Sequence, residues 1–250
     1  MQPDTLQQIK DHAVTEYPSE SCGFVVTDHR TGAERYLQVR NRTTKIGEQF
    51  KVAAEDFAAA EDVGEISMFV HSHPGGRARP SPADLTMAEA AGIPEWGIVS
   101  LGVQADHTIG CDDWYTFKPS GYVAPLLGRP FVHGVHDCYS LIRDWYAVQG
   151  IAIPDFPRPD KWWDDGKSNL YLDGYTKAGF LNLGPDAEPQ EGDVLLMQIF
   201  SKNGVPNHGA VYIGGGRIMH HMYDRLSKTD LWGGMYRNCL STVLRHKEMQ

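Results

Sequence analysis

Residues 71–84 read His71-Ser72-His73-Pro74-Gly75-Gly76-Arg77-Ala78-Arg79-Pro80-Ser81-Pro82-Ala83-Asp84, directly after the apolar run 66–70. That run has the length of a strand. His71 and His73 stand two apart at its end, so alternation sends both side chains to the same face. Two imidazoles on one face can hold one cation. Ser81 ahead of Pro82, with Gly92 beyond, predicts a helix over Pro82–Ala91. Asp84 then falls in its first turn, near enough to fold its carboxylate back onto the same ion. Two His and one Asp leave a fourth tetrahedral position open for water, the catalytic rather than the closed structural arrangement of zinc. A metal so placed lowers the pKa of water, and a nearby carboxylate can take the proton.

Each residue also has a plainer reading. A His-x-His pair arises by chance on surface strands. Asp84 suits the positive end of a helix dipole, Ser81 is a good N-cap, and Glu20 alone is an exposed acid. The joint spacing is what singles them out. The surrounding sequence predicts mixed α and β structure: a helix over 5–17 capped by Asp4 with Leu6, Ile9, His12 and Ala13 near one face, strands over 22–27 and 35–39, a helix over 53–62, and strands over 98–103 and 108–117.

This first half resembles the JAMM metalloprotease family. The family signature H-[ST]-H-P-x6-S-x2-D is complete from His71 to Asp84, and Pro18-Ser19-Glu20-Ser21-Cys22-Gly23 is similar to its Glu-containing segment. The resemblance covers about residues 5–115. It implies a cytidine deaminase-like mixed α/β domain binding one zinc through His71, His73 and Asp84. Glu20 would be the general base, and Ser81 would support the oxyanion.

The second half centres on His136-Asp137-Cys138-Tyr139-Ser140, which opens a helix over 138–149 with Leu141, Ile142, Trp145, Tyr146 and Val148 as its buried face. A cysteine at a helix N-terminus feels the positive end of the dipole, which favours thiolate. Further on, Asn207-His208-Gly209 begins an apolar strand, Gly214-Gly215-Gly216 turns, and Ile218-Met219-His220-His221 returns. This hairpin brings His208 beside His220. His208 can then take the proton of Cys138 while His220 orients the imidazole. By alternation, His221 points to the opposite face. A second helix is read over 170–178 and a strand over 193–199. Cys22, Cys111 and Cys239 read as structural, and Trp162-Trp163 as core or groove wall.

These residues resemble the NlpC-type cell-wall cysteine peptidases, a papain-like α+β family. Asp137-Cys138 matches its nucleophile segment, His208 through His220 its histidine motif, and Pro189-Gln190-Glu191-Gly192-Asp193-Val194 the segment between them. The resemblance covers about residues 125–245 and makes Cys138, His208 and His220 the catalytic set. The family usually carries a Tyr upstream of the Cys whose hydroxyl assists the oxyanion; here Phe131 aligns with it, and Tyr139-Ser140 replaces the usual Ser-Gly. Oxyanion stabilisation would then rest on the Cys138 N–H with His133 or His136, and the domain would be slow.

The fold class expected is therefore α+β in two domains: 1–118, a linker over 119–130, and 131–250. The linker reading rests on three prolines and two glycines between Lys118 and Pro130. Residues 1–118 carry 10 Lys+Arg against 18 Asp+Glu, and residues 119–250 carry 13 against 14. The net charge of -9 argues against binding nucleic acid through its phosphates. No apolar run approaches the ~18 residues of a membrane span, and the first residues lack the apolar core of a secretory signal. Four scattered cysteines argue against a disulfide scaffold.

A JAMM domain followed by an NlpC-type domain is similar to the tail assembly protein K family of long-tailed phages. That resemblance implies synthesis in the host cytoplasm, work at the tail tip, other tail-tip proteins as partners, and peptidoglycan stem peptides as a substrate. Two other readings stay open on sequence: a structural tail-tip factor using peptidase folds as docking modules, and a bacterial protease for ubiquitin-like or sulfur-carrier proteins.

Overall fold

The computed structural model describes residues 1–43 and 49–249. The chain divides into two compact units, Met1–Val123 and Ala124–Gln250, each with its own sheet. The division falls inside 119–130, yet that stretch is not a free tether. The Glu89 carboxylate accepts the N–H groups of Ser120 (2.7 Å) and Tyr122 (2.9 Å). Arg129 is buried in the second unit, where its guanidinium donates to Asp144 at 2.6 Å and to the Pro125 carbonyl at 2.8 Å. Backbone groups must find partners even in a proline-rich connection, so the segment is divided between the units it joins.

The first unit runs α1 (Pro3–Glu16), β1 (Cys22–Asp28), β2 (Glu34–Val39), α2 (Ala54–Val63), β3 (Gly64–Pro74), α3 (Pro82–Ala91), β4 (Trp96–Val103) and β5 (Ile109–Phe117). The sheet order is β2-β1-β3-β4-β5. Only β3 and β4 are parallel, and α3 makes the crossover between them. Ile9 and Ala13 of α1 pack with Val25, Met68, Val70, Val99 and Leu101. Phe24, Phe69 and Trp96 pack instead with Ala60 of α2 and Ala88 of α3. With cover on both faces, β1 reads as a continuous apolar run rather than an alternating one.

Three details differ from the sequence reading. Helix α1 begins at Pro3 after Gln2, so Asp4 lies inside the first turn and does not cap it. The fixed φ and missing N–H of proline suit that first position. Leu6 is only partly buried, and Thr5 takes its place on the inner face. Strand β3 extends through Pro74, because pairing continues there: His71 lies opposite Cys22 of β1 and Ile98 of β4, and His73 and Pro74 lie opposite Ser100 and Leu101 of β4.

The second unit contains α4 (Cys138–Val148), α5 (Leu170–Gly174), β6 (Phe180–Gly184), β7 (Val194–Met197), β8 (His208–Tyr212), β9 (Arg217–His220), β10 (Lys228–Leu231), α6 (Gly234–Asn238) and β11 (Leu240–His246). Its antiparallel sheet has the order β10-β9-β8-β7-β11-β6. Leu141, Ile142, Trp145 and Tyr146 of α4 pack on Leu196, Val211, Met219 and Leu244. Val148, expected on this face, is 69% exposed; it is the last residue of α4, just before the chain turns through Gly150 at φ 80°. Strands β6, β10 and β11 and helix α6 were not anticipated. Apart from β11, which has seven residues, each has five or fewer, and β10 and α6 bury no residue fully.

Candidate metal and thiol sites

His71 and His73 share the face of β3 that carries Phe69, and they lie at its C-terminal end, where α3 begins. The ring of His71 packs against Phe50 (4.7 Å) and Phe69 (6.0 Å). Asp84 reaches back from the first turn of α3: its Oδ1 lies 3.3 Å from His71 Nε2, and its Oδ2 3.5 Å from His73 Nε2. The two Nε2 atoms are 3.1 Å apart. Ligand atoms about 2.0–2.1 Å from a tetrahedral zinc stand roughly 3.3 Å from one another, so the three spacings suit one ion. His73 Nδ1–H donates to the Arg77 carbonyl at 2.9 Å. That bond turns the lone pair of Nε2 toward the other two groups, as the second nitrogen of metal-binding histidines usually does.

Ser81 caps α3 reciprocally. Its Oγ accepts from Asp84 N–H at 3.1 Å, and its own N–H donates to Asp84 Oδ2 at 2.7 Å. The cap therefore also orients the carboxylate. Burial alone would raise the Asp84 pKa, but the His71 and His73 imidazoles and the Ser81 N–H hold it far below the carboxylate range. Glu20 is buried, not exposed. Burial raises its pKa, with Asp84 acting in the same direction and His71 and His73 opposing. Ser72, which the sequence reading left without a role, ties this corner together: its Oγ accepts Ser21 N–H at 2.8 Å and its N–H donates to the Ser21 carbonyl at 3.1 Å.

In the second unit, Asp137 caps α4 by accepting Ser140 N–H at 2.8 Å. It also accepts from Arg158 Nε (2.8 Å) and Gly134 N–H (2.9 Å). Cys138 is the first residue of α4, and its Sγ lies 3.1 Å from the Tyr171 hydroxyl. The thiolate expected from the helix dipole is not the resting state: burial pushes the Cys138 pKa up, and Asp137 adds to the effect. The Tyr171 hydroxyl and the Gly209 N–H pull it back only in part.

His208 opens β8 and lines the same cavity as Cys138. The hairpin places it beside His220 as expected, with His208 Nε2 3.1 Å from His220 Nδ1. The chain continues further than the sequence reading had it. His220 Nε2 lies 3.1 Å from Asp230 Oδ2, which also accepts from Tyr236 Oη at 2.6 Å and pairs with Lys228 at 2.9 Å. Against the upward pull of burial, these donors hold Asp230 below the carboxylate range. An ionised Asp230 requires His220 to carry its proton on Nε2. His220 Nδ1 then accepts from His208 Nε2–H, which leaves His208 Nδ1 as the basic lone pair. Asp230 went unrecognised because only the β9–β10 pairing brings it to His220.

The cavity holds about 300 Å³ and is lined by Cys138, Phe131, Trp162, Trp163 and Tyr171 among others. His221 lines it too, with Nε2 3.0 Å from the Arg225 carbonyl and Phe131 edge-on at 5.2 Å. His220 itself does not line the cavity; it faces His208, Asp230 and Tyr236 instead. His133 lies 2.9 Å from the Arg158 carbonyl, and His136 is fully buried. Cys22 is buried and Cys111 and Cys239 are partly so, all three as free thiols.

Three buried histidines of this unit predict acid lability. Burial lowers the pKa of His208 to about 3, with His220 and His221 adding to it. Burial likewise lowers His136 and His221 to about 4, with Arg129 acting in the same direction on both and Asp137 opposing. On unfolding each returns to about 6.5. The stabilising preference for the neutral ring is thus fully present above about pH 6.5 and is lost as pH falls toward 4 and 3, at roughly 1.4 kcal/mol per unit for each group. Denaturant titrations of the second unit's transition at pH 7 and pH 5 are expected to show lower stability at pH 5. Equal or greater stability at pH 5 would refute the assignment.

The comparisons with known proteins agree with this architecture. Residues 2–115 match the family described as prokaryotic homologs of the JAB domain, and residues 128–245 match the NlpC/P60 family. The tail tip assembly protein K of Escherichia phage N15 is 34% identical over 252 residues, covering 100% of this chain and 97% of its own. That of Escherichia phage lambda is 39% identical over 196 residues, covering 78% of this chain and 89% of its own. A solved structure of an NLP/P60-family protein from Staphylococcus aureus, described as similar to lipoprotein, aligns over 48% of this chain and 37% of its own, at 22% identity and a TM-score of 0.35. Two peptidase-family domains in this order, with one-third identity over the whole length, show that the chain belongs to the tail tip assembly protein K family.

Proposed function

We propose that this protein is a two-site peptidase that acts in phage tail-tip assembly and cell-wall penetration. The observation that carries the reading is the presence in one chain of a convergent His71/His73/Asp84 set beside buried Glu20, and of Cys138 in a cavity with a His208–His220–Asp230 relay. Its partners would be other tail-tip proteins, in the host cytoplasm during assembly and at the tail tip afterwards. No helix among the described residues is long and apolar enough to cross a membrane.

In the first unit, His71, His73 and Asp84 would hold one zinc. Bound there, zinc supplies a Lewis acid and makes water acidic enough to attack at neutral pH. Glu20 takes the proton of the attacking water and returns it to the leaving amine. The Ser81 hydroxyl accepts from Asp84 N–H and keeps its own proton to donate to the developing oxyanion. The substrate would be a peptide or isopeptide bond in a protein, another tail component in this reading.

In the second unit, the His208 lone pair accepts the proton of Cys138 as the sulfur attacks, and the relay to Asp230 stabilises the imidazolium. The substrate would be the peptide stem of peptidoglycan. The neutral resting thiol, whose pKa is raised, favours one second reading, in which the second unit is a docking module without turnover.

The two chemistries are separable by reagent. A chelator is expected to stop proteolysis by the first unit and spare peptidoglycan digestion. Iodoacetamide, applied at pH 9 because the thiol pKa is raised, is expected to do the reverse. Loss of both activities to one reagent, with the fold intact by circular dichroism, would count against two independent sites. Undiminished digestion after full alkylation of Cys138 would leave the docking reading.

A further inference from the structure

We propose that the Tyr171 hydroxyl is the side-chain oxyanion donor of the thiol site, supplying from α5 the group that Phe131 cannot. The inference rests on the reading of Cys138 as a nucleophile. Its first support is position: the hydroxyl lies 3.1 Å from Cys138 Sγ. When Sγ bonds to a carbonyl carbon, the carbonyl oxygen stands one bond further out, within reach of a donor held that close. Effective donors stand about 2.7–3.1 Å from the oxyanion.

The second support is rigidity. The Tyr171 ring packs edge-on against Trp162 (5.8 Å) and Tyr139 (6.2 Å). Helix α5 is capped by Asn169, which accepts from Leu172 N–H. Gly209 keeps the space open from the other side: a Cβ there would stand 2.7 Å from Ile142 Cδ1 and 3.1 Å from the Tyr171 hydroxyl. The third support is the position of Phe131. It has no hydroxyl, and its ring packs against His221 and Tyr223, at 5.2 and 5.1 Å. Burial raises the Tyr171 pKa well above that of a free phenol, so the group keeps its proton.

The step balances without any further reagent. Cys138 Sγ attacks the carbonyl carbon of the stem peptide and its proton passes to His208. The S–C bond forms and the carbonyl π pair moves to oxygen. Tyr171 donates a hydrogen bond to that oxygen and retains its proton. The pair returns, the C–N bond breaks, and the proton on His208 goes to the leaving amine. Water then cleaves the thioester through the same oxyanion geometry.

The test compares wild type, Tyr171→Phe and Phe131→Tyr on a stem-peptide substrate, together with the pH dependence of Cys138 alkylation by iodoacetamide. Tyr171→Phe keeps the ring and its packing. It is expected to lower kcat by about 10²–10³-fold with little change in KM, and to move the alkylation midpoint upward, because the thiolate loses a donor. Phe131→Tyr is expected to be no faster than wild type. An unchanged kcat in Tyr171→Phe, or a tenfold faster Phe131→Tyr, would overturn the assignment. A wild-type protein that cleaves no stem peptide would instead overturn the peptidase reading. The alkylation midpoint then decides alone: an upward shift in Tyr171→Phe supports the contact, and an unshifted midpoint overturns it.

Discussion

Cys138→Ala is expected to lower stem-peptide hydrolysis on the order of 10⁶-fold, the scale seen when a nucleophile is removed from a catalytic unit that acts as a whole. The reason lies in the relay. Asp230, His220 and His208 are linked one to the next by hydrogen bonds, and in the proposed mechanism they take one proton from the sulfur; with no sulfur, their proton inventory has nothing to act on. Alanine removes a single atom from a half-buried position at the start of α4. The Asp137 cap, which holds the helix terminus, stays in place. Thermal unfolding should therefore change little while activity vanishes. Digestion of purified peptidoglycan, followed by release of stem-peptide amines, checks it. Unchanged release by a folded Cys138→Ala protein would remove the thiol mechanism and leave the docking reading.

The second large effect is on the first unit. A His71→Ala/His73→Ala protein is expected to lose bound zinc completely, by elemental analysis against wild type at one ion per chain, and to lose proteolysis with it. Asp84 alone cannot hold the ion, since two of the three convergent atoms are gone. Glu20→Gln makes the complementary case. Glutamine preserves the shape of the buried side chain but cannot accept the proton, so zinc should stay near one per chain while the rate falls about 10²–10⁴-fold. Full zinc in the double histidine variant would sink the ligand assignment. Loss of zinc in Glu20→Gln would show that Glu20 is a ligand rather than a base.

Much of both sites was legible in the sequence because the signals are local. Ser81-Pro82 and Gly92 mark the ends of α3 by backbone chemistry that needs no tertiary context, and the helix runs over the residues they bracket. The spacing of His71 and His73 requires only the two-residue repeat of a strand. The three-glycine turn at 214–216, all at positive φ, brings β8 and β9 together and with them His208 and His220. Where local signals were weak, the reading thinned: β6 and β10 are short, and β6, β10 and β11 all lack clean alternation. The exposure of Val148 was misjudged because helical periodicity was carried to the last residue of α4, just before the chain turns away.

The sequence by itself determined two domains, the residues able to hold a metal, and the thiol with its first two histidines, since each depends on neighbours a few positions away. Only the tertiary structure decided which distant groups complete them. Asp230 meets His220 through pairing with the adjacent strand, Ser72 anchors Ser21 across fifty-one positions, and Tyr171 comes from a helix thirty-three residues away to reach Cys138. It also decided the resting charge. The helix dipole favours a thiolate at Cys138 and exposure would make Glu20 an ordinary acid, but burial raises the pKa of both. Burial depends on what packs around a side chain, and the summed contacts of remote segments set it.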